Sequence, residues 1–126
     1  HGETLVEPLE PGTNRAAVSC PAVDILAHPG LLTAEEAELA AENGVFLELS
    51  ARRGHALANG HVAALARKTG ASLLINSDSH QPADLLTWEF MGCVGRGAGL
   101  DAAELEQVMG EAPRRLLQKL KGCAKG

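Results

Sequence analysis

Val23-Asp24-Ile25-Leu26-Ala27-His28-Pro29-Gly30 is a short apolar run that ends in a histidine and is stopped by Pro-Gly. A buried strand feeding a rim loop has this form. The pattern returns twice. Val45-Phe46-Leu47-Glu48-Leu49 leads into a polar, basic loop from Ser50 to Ala58, and Ser72-Leu73-Leu74-Ile75-Asn76 leads into Ser77-Asp78-Ser79-His80. Helices are predicted between the runs. Over Thr33 to Asn43, Thr33 is the N-cap, Glu36 completes a capping box and Gly44 is the stop. From Asn59 or Gly60 to Thr69, Val62, Leu65 and Ala66 share one face and Gly70 ends the turn. Strand–helix alternation implies right-handed crossovers and a parallel sheet, and unbroken apolar strands suit a sheet covered on both faces.

Working outward, Pro8, Pro11 and Gly12 punctuate an opening loop, and Asn14 to Ser19 reads as a short helix. Pro82 to Leu86 is expected to make a helical turn, and Trp88 to Gly97 a helix weakened by its glycines. Asp101 to Met109 is capped by Asp101 with Glu104 at N3. Ala112 to Lys121 places Leu116, Leu117 and Leu120 at helical spacing, and residues 122–126 read as a frayed tail. Three parallel strands alone leave an edge and an unprotected face. Further chain ahead of His1, or self-association with another copy, is therefore expected to cover them.

The 126 residues suit one domain, and 45% hydrophobic content supports a core. Aromatic residues are only 2%, so that core must be aliphatic. A net charge of −5 makes a nucleic-acid partner unexpected. It leaves room for a small phosphorylated substrate, because a metal supplies positive charge locally. Cys20, Cys93 and Cys123 form no CxxC pair, so neither a disulfide framework nor a zinc knuckle is indicated, and Cys20 and Cys93 read as small core residues. A cytoplasmic, reducing location fits, with no leader and no apolar run long enough to span a bilayer.

The polar residues gather where the strands end. His28 follows the first strand, Glu48 to Arg53 surround the end of the second, and Asp78 and His80 follow the third. Sites in parallel α/β folds are built at that end. His1 precedes the first strand, and a strand ahead of it would deliver it to the same rim. Imidazole and carboxylate together suit zinc, manganese or iron, and such a cation activates water. The chemistry is therefore assigned to His28, Asp78 and His80, with His1 joining them as a metal ligand. Alone, His28 reads as a capped or solvated side chain and Asp78 as a turn residue; their joint placement on one rim favours ligation. Arg52 and Arg53 read either as a phosphate clamp or as a solvated pair. Glu48, a charge inside a strand, reads as a substrate-side or supporting residue, or else as half of an ion pair. His55 is expected in a mobile loop and His61 at a helix start, both outside the ligand set.

The strings HGET at His1, DILAHPG at Asp24, LELSARRGH at Leu47 and INSDSH at Ile75 resemble the later motifs of the PHP family, the polymerase and histidinol phosphatase superfamily. The likeness runs from His1 to about Leu120 and is nearest to the histidinol-phosphatase-domain proteins. It implies the C-terminal portion of a distorted (βα)7 barrel, with about three parallel strands, across residues 1–126. The complete family barrel holds up to three divalent metals, whose ligands come from an early HxH motif, a further His, a Glu, two mid-chain His residues and a late DxH. His1 and His28 match the mid-chain pair, and Asp78 and His80 match the late pair. The early HxH, its following His and the Glu have no counterpart here. The resemblance thus implies a phosphoric ester hydrolase that in this portion holds fewer metals and turns over weakly. Two other readings stand beside it. One is a non-catalytic metal-binding or assembly module derived from such a domain. The other is an amidohydrolase-type metal hydrolase, which wants a ligand His directly after the second strand, where this sequence has Ser50.

Overall fold

A computed structural model describes residues 1–123. The three apolar runs form a parallel sheet in the order β1 (Ile25–Leu26), β2 (Phe46–Ser50) and β3 (Leu73–Asn76). Leu26 stands beside Leu47, and Leu47 beside Leu73. Between the strands lie α2 (Ala34–Asn43) and α3 (Asn59–Thr69), and α1 (Thr13–Ser19) precedes β1. The predicted caps are present: Thr33 and Glu36 close a reciprocal box at the start of α2, and Gly44 takes the left-handed C-cap conformation. This is the α/β architecture expected, a three-stranded parallel sheet flanked by helices.

β2 is the centre of the core because it is paired on both sides and buried along its whole length. Alternate side chains serve opposite faces. Leu47 and Leu49, fully buried, join Leu26, Val62, Ala66 and Ile75 in the main cluster beneath the helices. Each of the larger aliphatic side chains among them is worth roughly 1.5–3 kcal/mol of transfer free energy. Phe46 points the other way, into a smaller cluster with Leu74, Ala112, Ile25 and Leu116. The face expected to lie open is thus partly covered by this chain's own last helix, α6 (Ala112–Cys123). Arg115 stacks over the Phe46 ring, and Lys119 Nζ bonds the Asp24 carboxylate at 3.0 Å and the Gly44 carbonyl at 3.0 Å.

Three local expectations change. The first run gives a strand of two residues because its end is diverted: the Ala27 carbonyl accepts from Gly2 N at 2.7 Å, and His28 turns to φ 33°. Asp101 to Met109 is not one helix. α5 (Ala102–Glu106) passes into a π turn over Gln107–Glu111, which runs straight into α6. Pro113 offers no N–H and crowds the carbonyl four residues back, so the turn before it widens. Cys93, read as a core residue, is exposed. Gly92 and Gly95 are the buried residues of α4 (Trp88–Gly97) instead, and a Cβ on Gly95 would sit 2.3 Å from Leu105 Cδ1. The reading of residues 122–126 as a frayed tail lies, from residue 124 on, outside the described residues. No helix of the described residues is long and apolar enough to cross a membrane.

Arg67 ties α3 to α5 by a two-pronged bond to Glu104, at 2.6 and 2.8 Å. That bond, helped by the Asp101 backbone N–H, holds the Glu104 carboxyl at about 2, against an ordinary 4.5. A depressed carboxyl stabilises the fold fully above its unfolded value and loses that contribution as pH falls through its folded value. Glu104→Gln is therefore expected to melt below the parent at neutral pH, with the gap closing between pH 4.5 and about 2 in circular-dichroism melts.

Candidate metal centre

The rim is assembled by close backbone approaches. Gly2 lies against Pro29 and Ala27 so tightly that a Cβ would come within 2.7 Å of Pro29 Cα. Gly30, at φ 60°, leaves no room for one, since it would meet the Glu3 carbonyl at 2.0 Å. Asn14, buried in α1, binds the Pro29 carbonyl at 2.8 Å and receives Glu3 N at 2.9 Å. These contacts lay the opening segment alongside the end of β1 and bring His1 to the rim.

His28 is held by Glu48. One carboxylate oxygen, Oε2, accepts the His28 backbone N–H at 2.6 Å and stands 2.9 Å from Nδ1. Both side chains are only 3% exposed. An acceptor at Nδ1 fixes the tautomer: Nδ1 carries the proton, and Nε2 presents a lone pair. That Nε2 is buried and has no hydrogen-bond partner among the described residues. Such an orphan costs about 1–3 kcal/mol unless something fills the gap. Glu48, read from the sequence as a substrate-side or supporting residue or else half of an ion pair, is buried behind His28 as its hydrogen-bond partner.

His55 is the residue the sequence reading left out. It opens a 3-10 turn, His55–Ala58, and is buried rather than mobile. The loop is pinned because Asn59 bonds both the N–H and the carbonyl of Ser50, at 3.0 and 2.8 Å. Gly54 turns at φ 89° just before it. The His55 ring stacks on His28 with centroids 4.1 Å apart and an 11° tilt. Thr4 Oγ1 sits 2.6 Å from Nδ1, and Nε2 lies 3.6 Å from Asp78 Oδ2. Burial, with the His28 ring second, holds the His55 pKa below its usual 6.5. Neutral imidazole is the form that binds a metal.

Asp78 follows β3 at φ 50°; it and His28 are the non-glycine residues with positive φ among the described residues. Asp tolerates that region better than most, but residues held there cluster at working sites. Arg52 braces it, donating to the Asp78 carbonyl at 2.9 Å and standing 3.4 Å from Oδ2. One donor atom each from His28, His55 and Asp78 lies within 4.8 Å of the others. A divalent cation sits roughly 2.0–2.2 Å from such donors, and the unpartnered His28 Nε2 marks where one fits. The cluster is able to hold one divalent metal ion.

The other sequence-derived residues are placed around it. His1 packs edge-on to His28, with centroids 4.4 Å apart, and its Nε2 is bonded to Glu7 at 2.9 Å. His80 is exposed; its Nδ1 contacts Arg52 and lies 2.7 Å from the Asp78 carbonyl, so it stands beside the three-donor group and not within it. Arg52, Arg53, Ser77, His80, Leu85 and Phe90 line an open cavity of about 620 Å³ next to Asp78. His61 lies in α3, as expected, and bonds the Leu32 carbonyl at 2.7 Å.

The chain is 49% identical over 120 residues to the uncharacterized protein MJ1295 of Methanocaldococcus jannaschii. The alignment takes in 95% of this chain and 55% of that protein, so the chain spans about half the length of the curated relative it matches. No family model matches the chain, and no solved structure matches it.

Glu48→Gln keeps the size of the side chain but removes the charge that orients His28. Outer partners of metal-bound histidines are worth roughly 10–100-fold in affinity. Isothermal titration with Zn²⁺ is expected to show a loss of that order.

Proposed function

We propose that this chain is the C-terminal portion of a PHP-type metal-dependent phosphoesterase. The observation that carries the reading is the buried, unpartnered Nε2 of His28 facing His55 and Asp78 at the strand ends. A cavity with two arginines opens beside it, where a phosphate ester would dock. The motifs around His1, His28, Asp78 and His80 support the family assignment, and the parallel sheet in sequential order suits a portion of a (βα)7 barrel.

His28, His55 and Asp78 would hold the cation, which supplies charge neutralisation for the phosphate and a water of lowered pKa. The chain's own residues do the rest. Glu48 keeps the His28 proton on Nδ1. Arg52 keeps Asp78 in its strained turn and, with Arg53, offers guanidinium donors toward the cavity, a geometry matched to phosphate oxygens. His80, exposed on the cavity wall, is placed to hydrogen-bond the ester or its leaving group. Leu85 and Phe90 give the organic part of the ester an apolar wall. Zinc, manganese and iron all suit this donor set.

A second reading, an amidohydrolase-type hydrolase, gains from one observation: a histidine from the segment after β2, His55, does reach the cluster.

The test is release of p-nitrophenol from p-nitrophenyl phosphate, against an anilide substrate, by this chain and by the full-length relative. Cation-dependent phosphate release is expected, stronger in the longer protein. In this chain it should fall roughly 100-fold or more in Asp78→Ala, in line with losses on removing groups that act at the reacting centre. Cleavage of the anilide alone would favour the second reading, and no cation-dependent turnover in either protein would overturn the hydrolase assignment.

A further inference from the structure

Glu7 lies outside every motif read from the sequence, on the turn after Thr4. Its carboxylate nevertheless reaches the centre. Oε2 bonds His1 Nε2 at 2.9 Å, and Oε1 stands 3.7 Å from His55 Nε2. Asp78 Oδ2 approaches the same nitrogen at 3.6 Å. One imidazole nitrogen thus has two carboxylate oxygens near it, both just beyond hydrogen-bond length. A cation bonded to that nitrogen at roughly 2.0–2.1 Å falls within reach of both oxygens after a small side-chain rotation. Glu7 is half-exposed, so the rotation has room and breaks only its bond to His1. The segment carrying it is not free: Val6 packs over Gly54, where a Cβ would lie 3.1 Å from Val6 Cγ1. That contact ties the Glu7 turn to the loop that presents His55.

We propose that Glu7 is a fourth ligand of the divalent cation, joining His28 Nε2, His55 Nε2 and Asp78 in a two-nitrogen, two-oxygen set. The inference rests on the metal-binding reading of the cluster and adds a ligand to it. The unpartnered, buried Nε2 of His28 is the independent sign that a ligand belongs in this space. Charge supports the assignment. Two neutral imidazoles with Asp78 alone leave a divalent cation with one net positive charge in a largely buried place, and the second carboxylate cancels it. The tautomer of His55 is not locked against this change. Its Nδ1 partner is the Thr4 hydroxyl, which either donates or accepts, so His55 Nε2 can give up its proton while Nδ1 stays satisfied. His1 is released when Glu7 turns to the cation.

The experiment is Co²⁺ titration of the full chain beside Glu7→Gln and Glu7→Ala, followed by X-ray absorption of the loaded proteins. Glu7 sits on an exposed turn, and matching circular-dichroism melts check that the variants fold. Expected are a loss of affinity of roughly tenfold or more, since a direct ligand should matter at least as much as an outer partner, and one fewer oxygen from protein in the first coordination shell. Unchanged affinity and an unchanged shell in both variants would overturn the assignment of Glu7 while leaving the three-donor centre intact. Failure of the parent chain to bind Co²⁺ at all would overturn the centre and the assignment together.

Discussion

The bond between Glu48 and His28 governs the rest of the rim. A carboxylate inside a strand, almost wholly removed from water, is costly unless its oxygens are engaged. Here one oxygen takes both the backbone N–H and the ring Nδ1 of His28. The backbone contact holds His28 in a left-handed turn that a β-strand would not otherwise end in, and the ring contact aims Nε2 at the space shared with His55 and Asp78. Strand pairing thus fixes more than a fold. Glu48 is paired in register with Leu74, and the same ladder brings Ser50 level with Asn76. The loops carrying His55 and Asp78 therefore leave the sheet at the same height.

Around that bond two buried amides set the loops through neutral hydrogen bonds. Asn59 closes the loop after β2 by binding both backbone groups of Ser50, and Asn14 does comparable work for the segment after β1. Each is a buried amide with its partners in place, the condition under which a polar network specifies a geometry instead of weakening a core. Arg52 completes the frame from the outside. It holds Asp78 by carbonyl and carboxylate, at the edge of the cavity it lines with Arg53 and His80.

The fold was legible where burial writes itself into periodicity. Three apolar runs and the Thr33–Glu36 box located the sheet and α2. Asp78 and His28 were legible because they directly follow those runs. His55 was not, because its burial depends on Asn59, Thr4 and the Gly54 turn, contacts between segments with no shared spacing. The bulk-free Gly54 beside a histidine was the one available sign. Glu7 left no sign at all, since an acidic residue on a proline-flanked turn usually means a solvated surface. The widened turn before α6 was hidden because Asp101 to Met109 and Ala112 to Lys121 read as two separate helices, whereas the chain runs through Gln107–Glu111 without a break.

Anomalous diffraction from crystals of this chain grown with Mn²⁺ tests the central claim most directly. The account predicts a single strong peak bonded to His28 Nε2, His55 Nε2 and the Asp78 carboxylate, with Glu48 still on His28 Nδ1. A peak elsewhere, or a hydrogen-bonded water or side chain occupying the space beside His28 Nε2 in saturating Mn²⁺, would contradict it.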